Sequence, residues 1–180
     1  MGKQQLTTAE RVASKTKEEV IKEAKRIEES LLNSSKGHFA AAHFWRNFHL
    51  WIGVPMVLLS AIAGASALSQ LDPTHLVAGL FSIIVLALSG VATFLNPNEK
   101  VSAHLTAGNS YDSLMSGVRM FWAIDCWGTE SDQVLTERLK HFSERKDNLN
   151  QTSLQIPRWA YRKAKRGIEA GEGAYNVDKQ

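Results

Sequence analysis

The sequence predicts an all-α membrane protein: a two-transmembrane helical hairpin with cytoplasmic amphipathic helices on both sides. Three observations lead there. Two apolar runs, residues 50–71 and 76–95, each match the roughly 20 helical residues that span a bilayer core of about 30 Å. No Lys, Arg, Asp or Glu lies between Arg46 and Asp72, or between Asp72 and Glu99. The charges are instead gathered at the two ends, and no stretch alternates polar and apolar residues as a strand does.

The average over the chain hides this pattern. Its 180 residues are 44% hydrophobic and 22% charged, with a net charge of +3. Those values resemble a soluble domain, but a soluble core helix keeps a polar stripe where it meets water. Neither run has one. The mild basic balance gives no argument for nucleic acid, and it suits loops that face an anionic leaflet. The lone cysteine, Cys126, excludes an intrachain disulfide and reads as a small half-buried residue beside Trp127. The first apolar run follows a long charged segment, so it reads as a retained signal-anchor.

Residues 8–49 read as a cytoplasmic helical segment. Thr7 and Glu10 have capping-box spacing. Val12, Thr16, Val20, Ala24, Ile27 and Leu31 form one apolar face, opposite Lys15, Glu18, Glu19, Lys22, Lys25, Arg26 and Glu29. Asn33-Ser34-Ser35-Lys36-Gly37 interrupts the pattern as a kink or a short loop. Helix resumes at His38 and runs toward the membrane. Trp45, Phe48 and Trp51, with Phe44, form an interfacial aromatic belt; packing among cytoplasmic helices is an equal reading for Phe44. Pro55 removes a backbone donor and bends the first span.

The break between the spans carries Asp72-Pro73, an N-cap and first-turn proline for the second span. Nine Lys or Arg precede the hairpin, twelve follow it and the break has none. The positive-inside rule therefore directs both termini to the cytoplasm. Asn96 or Asn98 caps a third helix carrying Val101, Leu105, Leu114, Met115, Val118, Phe121 and Trp122, weakened at Gly108-Asn109. Residues 125–132 are a loop. Leu135, Leu139, Phe142 and Leu149 form the inner face of a helix over 133–150, and Pro157 opens a last helix over 158–170. The cytoplasmic helices thus cover 97–170, and 171–180 is a flexible tail. The whole chain, 1–180, forms a single domain.

No constellation of catalytic residues stands out, so the chain reads as no enzyme and calls for no cofactor or metal. It has no glycine-rich phosphate loop, His-Glu-x-x-His or Cys-x-x-Cys. The six histidines lack ligand spacing and read as solvated or interfacial. The spans offer another feature. Gly79, Ser82, Ser89, Gly90 and Thr93 fall near one face of the second, and Ser60 and Gly64 form a small-x-x-x-small pair in the first. Two readings stand: close approach of helix backbones, or hydroxyls lining a pore. Two spans cannot enclose a channel, so a pore requires a homo-oligomer.

The last helix concentrates Arg158, Arg162, Lys163, Lys165 and Arg166, with Trp159 and Tyr161 interleaved. A solvated face, a lipid surface and an acidic partner are the leading readings; nucleic acid is disfavoured.

The layout resembles the SLATT family, two-transmembrane effectors found beside bacterial conflict-system sensors. The resemblance covers residues 20 to 168. It rests on the Arg26 to Arg46 helix, the hairpin, the segment Phe94-Leu95-Asn96-Pro97-Asn98-Glu99-Lys100, and the closing Pro157, Tyr161 and Ala164. It implies a multi-pass protein of the bacterial inner membrane, acting in anti-phage defence. Such effectors oligomerise and permeabilise that membrane when triggered by a sensor or nucleotidyltransferase-system partner, often through a nucleotide second messenger. A non-conducting anchor or scaffold for a soluble partner is the alternative.

Overall fold

The computed structural model describes residues 8–68 and 76–174, with side chains from residue 15 onward. Five α-helices make up almost all of it: α1 (Thr8–Leu68), α2 (Leu76–Leu95), α3 (Pro97–Ala123), α4 (Asp132–Thr152) and α5 (Arg158–Glu169). A single 3₁₀ turn, Asp125–Trp127, separates α3 from α4. No strand occurs among the described residues. Thr7 of the expected capping box, the side chain of Val12, the Asp72-Pro73 break and residues 175–180 of the expected tail lie outside the described residues. The chain divides into two compact units, Met1–Ala40 with His104–Gln180, and Ala41–Ala103.

The first unit is a helical bundle with one core. On α1 the buried line is Val20, Ala24, Ile27 and Leu31, as the spacing predicts, and it continues through Ser35 and His38. The expected break at 33–37 is absent. The polar residues there bond back into their own helix: Asn33 Nδ2 donates to the Glu29 carbonyl at 2.8 Å, and Ser34 Oγ to the Ser30 carbonyl at 3.0 Å. Gly37 lies against Ile156, where an added Cβ would stand 3.1 Å from Cγ2. Tertiary contact along one face overrides the weak helix preference of Asn, Ser and Gly.

On α3 the buried line is His104, Ala107, Tyr111, Leu114, Met115, Val118 and Phe121. Leu105, expected inside, is exposed. The inward positions on this stretch belong instead to His104, the residue just before it, and to Tyr111, six residues after it, which a ranking by hydropathy passes over. Leu135 of α4 is buried in this core, with Leu139, Phe142 and Leu149 packed against it. Burial of each large core side chain such as Leu31, Leu114 or Phe121 contributes roughly 1.5–3 kcal/mol. Trp122 Nε1 donates to Glu28 Oε2, and Lys25 Nζ sits 4.5 Å above the Trp122 ring, so polar contacts also join α3 to α1.

Ser131 caps α4, its hydroxyl accepting from the Val134 amide at 3.4 Å. Arg138 holds the preceding loop by pairing with Asp125 at 3.2 Å and Glu130 at 2.7 Å. Cys126 is fully buried rather than half-buried. Burial pushes its thiol up from the ordinary value, with the charge of Lys17 acting the other way. Helix α5 ends in a Schellman turn: Gly171 N–H donates to the Ile168 carbonyl and Glu172 N–H to that of Gly167. Gly171 has φ +96° there, a conformation that glycine adopts without strain.

In the second unit, shielded positions recur every three or four residues along both spans. They are Ile52, Met56, Leu59, Ala63 and Ser66 on α1, and Ala78, Phe81, Val85, Leu88, Ala92 and Leu95 on α2. This is the spacing of two helices packed side by side. α1 remains helical through Pro55. The other faces are apolar and open: Leu86 is 73% and Phe94 88% exposed. A helix in a soluble core would bury such residues. Both helices are long and apolar enough to cross a membrane, and their apolar stretches are almost wholly exposed.

Asn96 links α2 to α3 with φ +43°. Its N–H still donates to the Ala92 carbonyl, its own carbonyl accepts from Lys100, and its side chain donates to Glu99. Asn is among the few residues other than Gly that adopt this left-handed conformation readily. Replacing it with Ala is expected to lower stability by about 1 kcal/mol, whereas Gly should be close to neutral. Thermal unfolding of the two variants side by side checks this; equal melting temperatures would remove the argument.

Candidate functional surfaces

The small residues singled out in the spans lie off the packed seam. Ser60, Gly64, Gly79, Ser82, Gly90 and Thr93 are exposed, and Ser89 is half-buried at the seam's edge. A Cβ built on Gly64, Gly79 or Gly90 meets nothing within 4 Å. Close packing between the two spans of one chain therefore does not explain these glycines. At 100° per residue, Ser60 and Gly64 are rotated to one side of the α1 seam. The α2 stripe is rotated in the same sense from its own seam. The spans run antiparallel, so both stripes fall on the same side of the hairpin.

Two of the hydroxyls are already satisfied. Ser60 Oγ donates to the Met56 carbonyl at 2.7 Å, and Ser82 Oγ to the Ala78 carbonyl at 2.8 Å. Bonds of this kind let a serine face an apolar surrounding without water.

The aromatic residues before the first span form a cluster. Trp45 packs edge-on against Phe44 and Phe48, with centroids 5.5 and 5.6 Å away. Lys100 Nζ lies 4.3 Å above the Trp45 ring, a cation–π contact between α3 and α1 within the second unit. Trp51 is different: it is 78% exposed and turned outward.

Helix α5 belongs to the first unit. Ala160 and Ala164 are buried and fix its orientation. Arg158, Arg162, Lys163, Lys165 and Arg166 are all exposed.

The sequence reading missed a buried polar cluster. His38 is 1% and His104 3% exposed, which overturns their assignment as solvated or interfacial residues. Their Nδ1 atoms are 2.9 Å apart, so one donates and the other accepts. His38 also stacks on Tyr111, with centroids 5.3 Å apart and planes at 19°. Tyr111 donates to Asn150 Oδ1 at 2.9 Å, which ties α3 to α4. Burial and the charge of its neighbour push His38 down to about 4. Burial pushes the Tyr111 hydroxyl up, with a hydrogen bond to Ser153 acting the other way. The signal was present in the sequence: His38 follows Leu31 by seven residues and Tyr111 follows His104 by seven, each pair on one helix face.

Among the described residues, no group of three or more His, Cys, Asp or Glu is arranged to hold a metal ion. Comparison with protein-family models, with curated proteins and with solved structures finds no match. The functional reading therefore rests on the surfaces themselves. Their chemistry is that of association and surface contact: an apolar hairpin with one small-residue side, an aromatic cluster beside it, and a basic helix on the other unit.

Proposed function

We propose that this chain is a non-enzymatic effector of the bacterial inner membrane, of the SLATT type. Its spans cross the bilayer with both termini in the cytoplasm. Its hairpins associate through the side that carries Ser60, Gly64, Gly79, Ser82, Ser89, Gly90 and Thr93, and permeabilise the membrane. The cytoplasmic helices hold it inactive until a partner of the anti-phage system, a sensor or nucleotidyltransferase-system protein, triggers it. The observation that carries this reading is the open space around Gly64, Gly79 and Gly90. Small residues that no intrachain contact uses are suited to the close approach of a second hairpin.

The anchor reading has one observation in its favour. The hydroxyls of Ser60 and Ser82 need no water, because their own helices satisfy them. A non-conducting hairpin that recruits a soluble partner would carry serines in this state.

Membrane potential in cells expressing the protein separates the two. A pore depolarises the cell when its partner is triggered; an anchor leaves the potential steady. Gly64→Leu and Gly90→Leu meet no intrachain clash and leave folding and insertion intact. Each is expected to weaken association by about tenfold, the equivalent of roughly 1.4 kcal/mol, and to reduce depolarisation accordingly. Undiminished depolarisation in the double variant, present at wild-type levels in the membrane fraction, would sink the pore reading.

A further inference from the structure

Helix α5 carries more positive charge than its fold requires. Over 12 residues it has five cations and one acid, Glu169. Arg158, Arg162 and Arg166 recur at every fourth position and so form one outward row, opposite the buried Ala160 and Ala164. Like charges at this spacing repel each other and destabilise a helix. Three cations elsewhere are offset by acids: Lys22 pairs with Glu19, Arg26 with Glu23, and Arg138 with Asp125 and Glu130. None of the five α5 cations pairs with an acid among the described residues. Large aromatics flank the row, Trp159 at 39% and Tyr161 at 46% exposure.

We propose that the outward face of α5, centred on Arg158, Arg162 and Arg166, docks on anionic phospholipid headgroups. The charge row is complementary to a surface of phosphates. Aromatics among cations suit a boundary where one side is wet and the other apolar. The choice of lipid over another anion rests on the membrane-spanning reading of the hairpin. A chain held in a bilayer presents α5 to headgroups at a high effective concentration. Docking then gives the first unit a defined attachment to the membrane surface, one that salt and lipid composition tune.

The test uses the full-length chain in lipid nanodiscs, with a fluorophore at Glu169→Cys beside the row; Cys126 is buried and does not compete for label. Quenching by nitroxide-headgroup lipid reports contact. Discs of phosphatidylcholine are compared with discs that also contain phosphatidylglycerol. Docking gives a severalfold rise in quenching with the anionic lipid, abolished by high salt and by Arg162→Glu with Arg166→Glu. Those exposed positions leave the fold intact, as circular dichroism checks. Equal quenching in both lipids, or none in either, overturns the proposal. So does displacement of the label from anionic discs by duplex DNA or polyglutamate at matched charge, which would assign the face to nucleic acid or an acidic protein. Failure of the chain to co-elute with discs counts against the membrane-spanning reading instead. In that event flotation of the free chain with anionic and zwitterionic vesicles reads α5 directly, and equal flotation overturns the proposal.

Discussion

Lowering the pH from above 6.5 to about 4 is expected to remove roughly 3 kcal/mol of stability through His38 alone. The folded protein holds this imidazole neutral down to about pH 4, whereas the unfolded chain protonates it near 6.5. Above 6.5 both states are neutral and His38 contributes no pH dependence. Below 6.5 the unfolded state takes up a proton that the folded state refuses, so stability falls with each step down in pH. The loss levels off once the pH passes below the folded value. The geometry explains the refusal. Burial acts first, because His38 is 1% exposed and a charge on it loses its water; His104, with its Nδ1 2.9 Å away, adds an unfavourable charge. The ring that would carry the charge is buried against Tyr111, whose hydroxyl is committed to Asn150. Denaturant unfolding of the detergent-solubilised chain across this pH range measures the effect. His38→Gln keeps a polar group but does not titrate, so its stability should fall less steeply between pH 6.5 and 4. An identical slope in wild type and variant would show that the histidine pair is not the sensor of acid.

Gly108→Val is expected to cost about 3 kcal/mol, the upper end of what an overpacked core gives. A Cβ at this position stands 2.8 Å from Cε1 and 2.9 Å from Cδ1 of Phe39, so the α1 ring must move. Gly108→Ala meets the same ring but gains about 1 kcal/mol of helix preference, and should be milder. The glycine that weakens α3 as an isolated helix is thus the residue that lets Phe39 of α1 close on α3. Phe39→Ala in the Gly108→Val background should recover part of the loss, because the two positions share one space. Wild-type stability of Gly108→Val, or additive losses in the double variant, would refute this account.

Much of the fold was legible because it depends on local pattern. The spacing of Val20, Ala24, Ile27 and Leu31, and of Leu135, Leu139, Phe142 and Leu149, carries the inward faces of α1 and α4. Pro157 opens α5 where its fixed φ and missing donor are harmless. The candidate surfaces were legible only in part. Ser60, Gly64, Gly79, Ser82, Gly90 and Thr93 are visible as small residues, but spacing does not say whether they face the neighbouring span or turn away from it. His38 and His104 are sixty-six residues apart, and nothing local marks them as partners.

The sequence by itself determined where apolar length is concentrated, where charge is excluded and which helix faces are greasy, because these follow from composition and a 3.6-residue period. The tertiary structure alone decided three matters. Helix α1 continues through Asn33 to Gly37 because Ser35 and Gly37 have buried places on its packed side. Two histidines become a single hydrogen-bonded unit because α1 and α3 bring them within 2.9 Å. Gly64, Gly79 and Gly90 face outward because Leu59, Phe81, Val85 and Leu88, with the buried Ala63 and Ala78, occupy the seam. In each case the deciding contact joins residues far apart in the chain, and no local propensity encodes it.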